Sequence, residues 1–156
     1  MRSELHKQLQ GVAKNYLLNK AYWICGQEVP MPQGICDAWG MKHFDLETMA
    51  IEVKVSRPDF HSLSQKCKES SSSVLGNYQY ILCPQGLIGA KECHDKWGLL
   101  WFENGRIINK KKAPFLSMTA EQKLDVLIHF LFNGVNEKRP KLVNIGSFVL
   151  RKLSHE

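Results

Sequence analysis

The sequence has no long apolar segment and no regular arrangement of cysteines. Nothing in its 156 residues approaches about 18 consecutive apolar residues, and its charged start lacks the apolar core of a signal peptide. The five cysteines are odd in number, scattered, and never in a C-x-x-C pair, which argues against a disulfide framework and a zinc ribbon. We therefore expect a cytoplasmic protein with no membrane partner.

The chain is also too short for two ordinary domains, and acidic residues are in the minority. Its 156 residues, 44% of them hydrophobic, suffice for one domain with a real core. The formal net charge of +6 favours a polyanionic partner such as nucleic acid. We expect one domain over residues 1–135 and a basic C-terminal extension, 136–156, that packs on the same domain.

Helical and extended patterns alternate in the first half of the chain. Ser3 can cap a helix that continues to about Lys20, with a predicted apolar face of Leu5, Leu9, Val12 and Tyr16. Three stretches then have strand composition, AYWICGQEVP, GICDAWGM and TMAIEVKVS, and the last two predict an antiparallel hairpin. Pro58 ends the third strand, and Asp59 is predicted to cap, or to open, a helix through about Glu69, followed by a loop at serines 70–73.

The second half adds strands and a last helix. YQYILCP has strand composition, and WGLLWFENGRII predicts two strands joined by an Asn104-Gly105 turn. A capping box formed by Thr119 and Gln122 starts a helix with a predicted apolar face of Leu124, Leu127, Ile128 and Leu131. This order predicts an α/β sandwich with a central mixed β-sheet flanked by helices.

Two charged residues, Glu52 and Lys54, interrupt the third strand. Because side chains alternate along a strand, the apolar residues beside them face the core and the two charges share the other face. The simplest interpretation is a solvated ion pair worth under about 1 kcal/mol. The E-x-K tripeptide alone indicates nothing more, because it recurs from Glu121 to Lys123 in the predicted last helix, where residues two apart diverge.

An acidic residue in the preceding strand, Asp37, changes this interpretation. If the two strands pair, Asp37 and Glu52 can converge. Two carboxylates that close would stay ionised together only around a cation, and all-oxygen ligation selects a hard ion such as Mg²⁺ or Mn²⁺. Lys54, on the same face, could then polarise an attacking water or neutralise the charge that grows on a phosphate.

These residues carry a resemblance to a known family. Asp37, fourteen intervening residues, then Glu52-Val53-Lys54 in an apolar strand, resembles the PD-(D/E)XK nuclease superfamily. More narrowly, IEVKVSRPDF followed by YQYILCPQGLI and WGLLWF is similar to the MmcB-like DNA-repair proteins of that superfamily. The resemblance covers about residues 35–102, and Cys36 stands where the superfamily name has Pro.

The resemblance implies a restriction-endonuclease-like fold and metal-dependent hydrolysis of phosphodiester bonds in DNA, in a DNA-repair setting. It implies Asp37 and Glu52 as ligands of Mg²⁺ (or Mn²⁺), with the backbone carbonyl of Val53 as a third ligand. Lys54 would be the catalytic residue that assists the base or stabilises charge. Glu4 would supply an auxiliary acid from the first helix.

Further polar residues follow the third strand. Ser56 and Arg57 are expected at the rim of the site, where Arg57 is a candidate phosphate contact. Gln65 and Lys66 are auxiliary candidates on the second helix, with plain solvent exposure as the alternative. Trp39 is most simply a core residue, with base stacking as the alternative. A candidate contact with the DNA backbone is the run of Lys110, Lys111 and Lys112, although such runs are usually solvated.

Two other functions stay open. The same fold could form a catalytically inactive DNA-binding or scaffolding subunit, or a small domain that binds protein partners around a structural ion pair. Asp37, Glu52 and Lys54 together favour the enzyme, and the protein-binding version leaves the charge of +6 unexplained. The expected partners are DNA and other protein chains, as a homodimer or within a repair complex.

Overall fold

The computed structural model is an α/β fold described over residues 2–31, 34–69 and 74–135, without the side chains of residues 64–69 and 132–135. Within these ranges the helices are α1 (Glu4–Asn19), α2 (Arg57–Glu69) and α3 (Ala120–Val135). The strands are β1 (Ile24–Met31), β2 (Gly34–Met41), β3 (Thr48–Val53), β4 (Tyr78–Pro84), β5 (Gly98–Glu103) and β6 (Arg106–Lys111). The predicted loop at serines 70–73 and the extension at 136–156 lie outside the described residues.

The described strands form one mixed sheet in the order β1-β2-β3-β4-β5-β6. The pairs β1–β2, β2–β3 and β5–β6 are antiparallel, whereas β3–β4 and β4–β5 are parallel. The helix α2 lies in the crossover from β3 to β4 that a parallel pair requires. The predicted α/β sandwich with a central mixed sheet flanked by helices is confirmed.

Both hairpins predicted from turn signals are present. The strands β2 and β3 pair from Met41 and Thr48 to Ala38 and Ile51. The strands β5 and β6 are joined at Asn104 and Gly105, whose φ angles are 50° and 76°. Positive φ at both central residues is the geometry of a type I′ turn, which matches the twist of the flanking strands.

The helices cover both faces of the sheet. Leu9, Ala13 and Leu17 of α1 share a buried cluster with Ile51 and Leu82. Their neighbours in the strands, Ala50 and Ile81, belong to clusters on the other face, because adjacent strand residues point in opposite directions. There Phe60 of α2 packs near Ile81, and Phe130 of α3 packs on Trp39 with ring centroids 6.3 Å apart.

The buried face of α1 is rotated from the predicted one. Ser3 caps the helix as predicted, its hydroxyl accepting the His6 N–H at 3.2 Å. Leu5, however, is 40% exposed, and the predicted Val12 and Tyr16 are only partly buried. The fully buried residues are His6, Leu9, Gln10, Ala13 and Leu17. The prediction of Leu5 in the core was wrong because the true stripe contains two polar residues that apolar spacing does not count.

The buried face of α3 also differs from the predicted one. The capping box is present, with reciprocal hydrogen bonds of 2.8 and 3.1 Å between Thr119 and Gln122. Val126 and Phe130 are the buried residues, while Leu124 and Ile128 are 55% and 42% exposed. Apolar residues run along more than one stripe of this helix, so periodicity could not decide which stripe faces the sheet.

Two expectations about composition can be compared with the described residues. Among them, no helix is both long and apolar enough to cross a membrane. Four of the cysteines, Cys25, Cys36, Cys83 and Cys93, are buried. Small buried thiols of this kind behave as core residues.

Gly98 stands where the sheet leaves no room for a side chain. A Cβ atom there would lie 2.3 Å from the Tyr80 ring and 2.7 Å from the Ala113 nitrogen. The ring is fixed from its other end, because the Tyr80 hydroxyl accepts the Ala113 N–H at 3.2 Å. We predict that Gly98→Ala lowers the free energy of unfolding by about 1–3 kcal/mol, measured by urea denaturation followed by circular dichroism.

Gly11 provides the matched control inside α1. A Cβ atom at Gly11 meets its nearest neighbour, the Gln27 side chain, at an ordinary 3.6 Å. Gly11→Ala should therefore raise the free energy of unfolding by up to about 1 kcal/mol through helix propensity. Equal effects of the two substitutions would contradict the packing explanation.

Candidate active site

Asp37 and Glu52 lie where two paired strands separate. The ladder between β2 and β3 ends at Ala38 and Ile51, and the next pair in register would be Asp37 and Glu52. Beyond that point the Asp37 Oδ2 atom accepts the Val53 N–H at 2.9 Å, so the carboxylate replaces a missing backbone acceptor. The strand pairing therefore brings the two acidic side chains together, as expected from the sequence.

The other oxygen of Asp37 is held by α1. Its Oδ1 atom accepts hydrogen bonds from Gln10 Nε2 at 2.8 Å and His6 Nε2 at 3.0 Å, all within the buried interior. Because a carboxylate accepts and does not donate, the His6 tautomer that forms this hydrogen bond is the one with a proton on Nε2. Each carboxylate oxygen has two acceptor positions, so His6 and Gln10 fill Oδ1, and beyond its bond to Val53 Oδ2 has one position for the hydrogen bond with Glu52.

Glu52 is buried beside Asp37 and holds its proton unusually tightly. Burial, followed by the charge of Asp37, raises the pKa of Glu52 from 4.5 to about 7, and the positive charge of Lys54 opposes this rise. A hydrogen bond between the Glu52 and Asp37 carboxyl groups adds to the increase. Near neutral pH, a proton on Glu52 thus removes the repulsion between the Glu52 and Asp37 carboxylates, which a bound cation would otherwise balance.

Lys54 completes the buried cluster and links it to α2. Its Nζ atom lies 3.9 Å from Glu52 Oε2 and 3.3 Å from Asp59 Oδ1. The helix α2 begins at Arg57, and the Ser56 hydroxyl accepts the Asp59 N–H at 3.3 Å. Of the two roles predicted for Asp59, it opens this helix within the first turn and does not cap it, because Ser56 accepts the Asp59 N–H group and the Asp59 carboxylate pairs with Lys54.

Arg2 and Glu28 form an ion pair at the edge of the cluster. Arg2 Nη1 lies 2.8 Å from Glu28 Oε1 and 3.5 Å from Asp37 Oδ1. The β1–β2 ladder keeps its register on both sides but lacks the pair that Glu28 and Asp37 would form. Glu28 has a φ of 51°, a left-handed conformation that costs a residue with a side chain about 1–2 kcal/mol.

Two predicted auxiliary residues are not part of this cluster. The Glu4 side chain is 89% exposed and pairs with Lys7 at 2.9 Å. Arg57 donates to the Leu87 carbonyl at 2.9 Å and pairs with Glu92. Arg57 thus connects α2 to the loop after β4, and its phosphate contact stays a prediction.

The three lysines of the predicted basic run have different surroundings. Lys111 donates to the backbone carbonyls of Cys93 at 2.8 Å and His94 at 3.0 Å, so it closes the loop before β5. The Lys110 Nζ atom lies 4.5 Å from the centre of the Trp101 ring. Lys112 is exposed. The three lysines therefore do not present one continuous basic strip.

The remaining predicted residues have separate outcomes. A residue's N–H and C=O point to the same side of a strand, so the Val53 carbonyl lies toward β2, on the side of Asp37. Trp39 is fully buried and donates from Nε1 to the Leu75 carbonyl at 3.1 Å, which excludes base stacking. The side chains of Gln65 and Lys66 lie outside the described residues.

The polar residues of α1 at this site were missed by sequence reasoning. His6 and Gln10 lie four residues apart and continue the stripe of Ala13 and Leu17 toward the start of the helix. A helix face that is apolar in its second half and polar in its first half indicates burial against a polar site. That signal was present in the sequence, whereas the Arg2 and Glu28 contacts depend on how β1 bends.

The oxygen atoms of this site resemble those that a hard divalent cation prefers. Asp37, Glu52 and the Val53 carbonyl would offer oxygen atoms alone, as Mg²⁺ prefers. Within the described part of the chain, no group of three or more His, Cys, Asp or Glu side chains is arranged to hold a metal ion. Mg²⁺ is commonly bound through one or two carboxylates together with phosphate and water. Two carboxylates therefore fit Mg²⁺, whereas they are too few for an ion that takes all of its ligands from the protein.

Comparison with known proteins supports the fold. The solved structure of "SPO1766 protein of unknown function from Silicibacter pomeroyi" is similar to this chain, with a TM-score of 0.62 and 19% sequence identity. The match covers 83% of this chain and 85% of that chain. No protein-family model and no curated protein matches the sequence. At this identity the likeness concerns the architecture and not the chemistry of the site.

The raised pKa of Glu52 predicts a pH-dependent stability. An acid whose pKa rises from 4.5 to about 7 on folding stabilises the fold below pH 4.5, and this contribution is lost as the pH rises through 7. As the pH rises from 4.5 to 7, the free energy of unfolding of Glu52→Gln should therefore increase relative to that of the native chain, by up to about 3 kcal/mol. Urea denaturation in EDTA at a series of pH values measures the difference.

The exposed Glu121 is the control for this series. Glu121→Gln removes one exposed carboxyl group from α3, and it therefore controls for the loss of a negative charge outside the buried cluster. A difference between Glu52→Gln and the native chain that stays constant from pH 4.5 to 7 would show that Glu52 ionises normally.

Proposed function

We propose that this protein is a metal-dependent nuclease that hydrolyses phosphodiester bonds in DNA. The observation that carries the proposal is the burial of Asp37, Glu52 and Lys54 together at the point where β2 and β3 separate. Removing charges from water costs several kcal/mol per ion, and structural ion pairs rarely recover it. Clusters of this kind, with a strongly shifted pKa, are concentrated at functional sites.

The carboxylates have the roles of cation ligands in this proposal. Asp37 and Glu52 would hold Mg²⁺ or Mn²⁺ together with the Val53 carbonyl, and such an ion supplies a nucleophilic water and balances charge on a phosphate. His6 and Gln10 fix Asp37 from behind, so its remaining acceptor position is presented without rotation of the carboxylate. Glu52 must give up its proton before it can bind the ion.

Lys54 is proposed as the residue that stabilises charge in the transition state. Its ammonium group lies within 4 Å of both Glu52 and Asp59, which hold it at the end of β3 with little freedom. A positive charge fixed in a buried site interacts more strongly with a developing phosphorane charge than one that must reorient. Asp59 also offsets the cost of burying that ammonium group.

The net charge of the protein and its resemblance to a repair family support DNA as the substrate and repair as the setting. The net charge of +6 favours a polyanion, and the exposed Lys110 and Lys112 add positive charge at the edge of the sheet. The resemblance of IEVKVSRPDF to the MmcB-like proteins supplies the repair setting and the preference for DNA. A cytoplasmic location and association with other repair proteins belong to the same proposal.

A non-catalytic DNA-binding subunit with this fold is the second candidate. It is favoured by one observation, that Asp37 is already held by hydrogen bonds with His6, Gln10 and Val53 in addition to the one with Glu52. A carboxylate held in this way can stabilise the packing of α1 on the sheet without any metal ion. The two candidates differ in whether the remaining acceptor position on Asp37 binds a cation.

Cleavage assays on intact proteins separate these candidates. With Mn²⁺, the native chain should nick plasmid DNA or cut single-stranded or branched DNA, and Lys54→Gln and Asp37→Asn should lower the rate at least about 100-fold. The second E-x-K tripeptide supplies matched controls, because Glu121→Gln and Lys123→Gln alter the same residue types in α3. Circular dichroism verifies that each variant is folded.

Metal binding is measured separately from cleavage. Mn²⁺ should raise the melting temperature of the native chain and not that of Asp37→Asn, since a ligand stabilises the state that binds it. Binding of DNA without cleavage, on every single-stranded, duplex and branched form tested, would favour the non-catalytic candidate. Cleavage that persists in Asp37→Asn would contradict the proposed site.

A further inference from the structure

Arg2 lies between the buried carboxylate and solvent. Its Nη1 atom contacts Glu28 Oε1 at 2.8 Å and comes within 3.5 Å of Asp37 Oδ1, while its side chain is 38% exposed. Both contacts involve the same nitrogen, and a guanidinium group has five N–H donors in a rigid planar fork. Arg2 therefore combines a fixed position at the edge of the site with donors that can reach a further ligand.

Arg2 is not needed to satisfy Asp37. His6 and Gln10 approach Asp37 Oδ1 at 3.0 and 2.8 Å, closer than Arg2, and they already occupy its two acceptor positions. An exposed ion pair such as Arg2–Glu28 also contributes little to folding stability. The position of this guanidinium is thus not explained by the stability of the fold.

Glu28 holds Arg2 from a strained backbone position. Its φ of 51° falls in a region that glycine adopts without strain and other residues seldom adopt. The strain occurs at the break in the β1–β2 ladder beside Asp37. A glycine there would relieve the strain but would lack the carboxylate that contacts Arg2. Backbone strain of this kind is concentrated at functional sites.

We propose that Arg2 binds a backbone phosphate of DNA next to the phosphodiester bond that is cut, and that Glu28 is a positioning residue that aims it. This inference rests on the proposed function and adds a phosphate subsite to it. A guanidinium group can bind one partner through one edge and a phosphate through another, with charge-assisted bonds to each. The 3.5 Å separation from Asp37 places that phosphate beside the cation site.

The first test is the binding of a short fluorescein-labelled DNA duplex and of its single strand. Fluorescence anisotropy is measured in Ca²⁺ at several NaCl concentrations, with the probe verified intact afterwards. Arg2→Gln should weaken binding about tenfold, as expected for one charged hydrogen-bonded contact. On the duplex it should also reduce the slope of log K against log salt by about 0.9, the value for one phosphate.

Lys7 and Glu4 provide the matched control pair. They form an ion pair of 2.9 Å within α1, similar in length to the 2.8 Å pair of Arg2 and Glu28. Lys7→Gln and Glu4→Gln should leave the affinity and the salt slope nearly unchanged. If Lys7→Gln had the same effect as Arg2→Gln, the role of Arg2 would be general attraction and the proposal would be overturned.

The second test uses the sign of the Glu28 effect. If only net charge matters, removing an acidic residue near DNA should strengthen binding. If Glu28 positions Arg2, Glu28→Gly should weaken binding several-fold in the native background and have no weakening effect in Arg2→Gln. Glycine suits the φ of 51°, so the melting temperature should be retained. Stronger binding by Glu28→Gly in the native background would overturn the positioning role.

These outcomes are independent of catalysis. A native chain that binds DNA without cutting it, and that loses affinity and salt slope in Arg2→Gln, would refute the proposed nuclease and retain the phosphate subsite. A native chain that cuts DNA while Arg2→Gln binds and cuts normally would refute the subsite alone. Absence of salt-dependent DNA binding by the native chain would overturn both.

Discussion

The Asp37 carboxylate joins parts of the chain that are distant in sequence. It accepts the Val53 N–H that β2 no longer reaches, and it accepts hydrogen bonds from His6 and Gln10 across the interface with α1. The separation of β2 from β3, the orientation of α1 and the exposure of one carboxylate oxygen to Glu52 therefore depend on the same group. In this protein the candidate catalytic residue is also the residue that closes the end of the sheet.

The buried charges that are proposed to serve function also lower the stability of the fold. Burying Glu52 beside Asp37 raises the pKa of Glu52, and Lys54 is buried next to the Glu52 and Asp59 carboxylates. Each of these groups would be better solvated in the unfolded chain, so the cluster exists at the expense of the free energy of folding. The surrounding apolar clusters, which include Ile51 and Val53 on one face of β3, provide the stability that makes this tolerable.

Local patterns predicted most of the fold, because they report on contacts close in sequence. The hairpins, the Thr119 capping box and the alternation around Glu52 are of this kind. The register of β2 and β3 also brought Asp37 to Glu52, so the centre of the site was predictable. The faces of α1 and α3 were not, since apolar stripes compete and the sheet decides between them. Nor was the contact of Arg2 with Glu28, which depends on an unusual backbone angle in β1.

The docking of α1 has a consequence for how the site is lost. The helix is attached through Leu9, Ala13 and Leu17, and the hydrogen bonds from His6 and Gln10 form only while it is docked. A fluctuation that detaches this one helix would leave the sheet paired and hydrogen-bonded, yet it would hydrate Asp37 and free it to rotate. Sub-global opening of this kind requires less free energy than complete unfolding. The site therefore depends on the docking of α1 as well as on the pairing of β2 with β3.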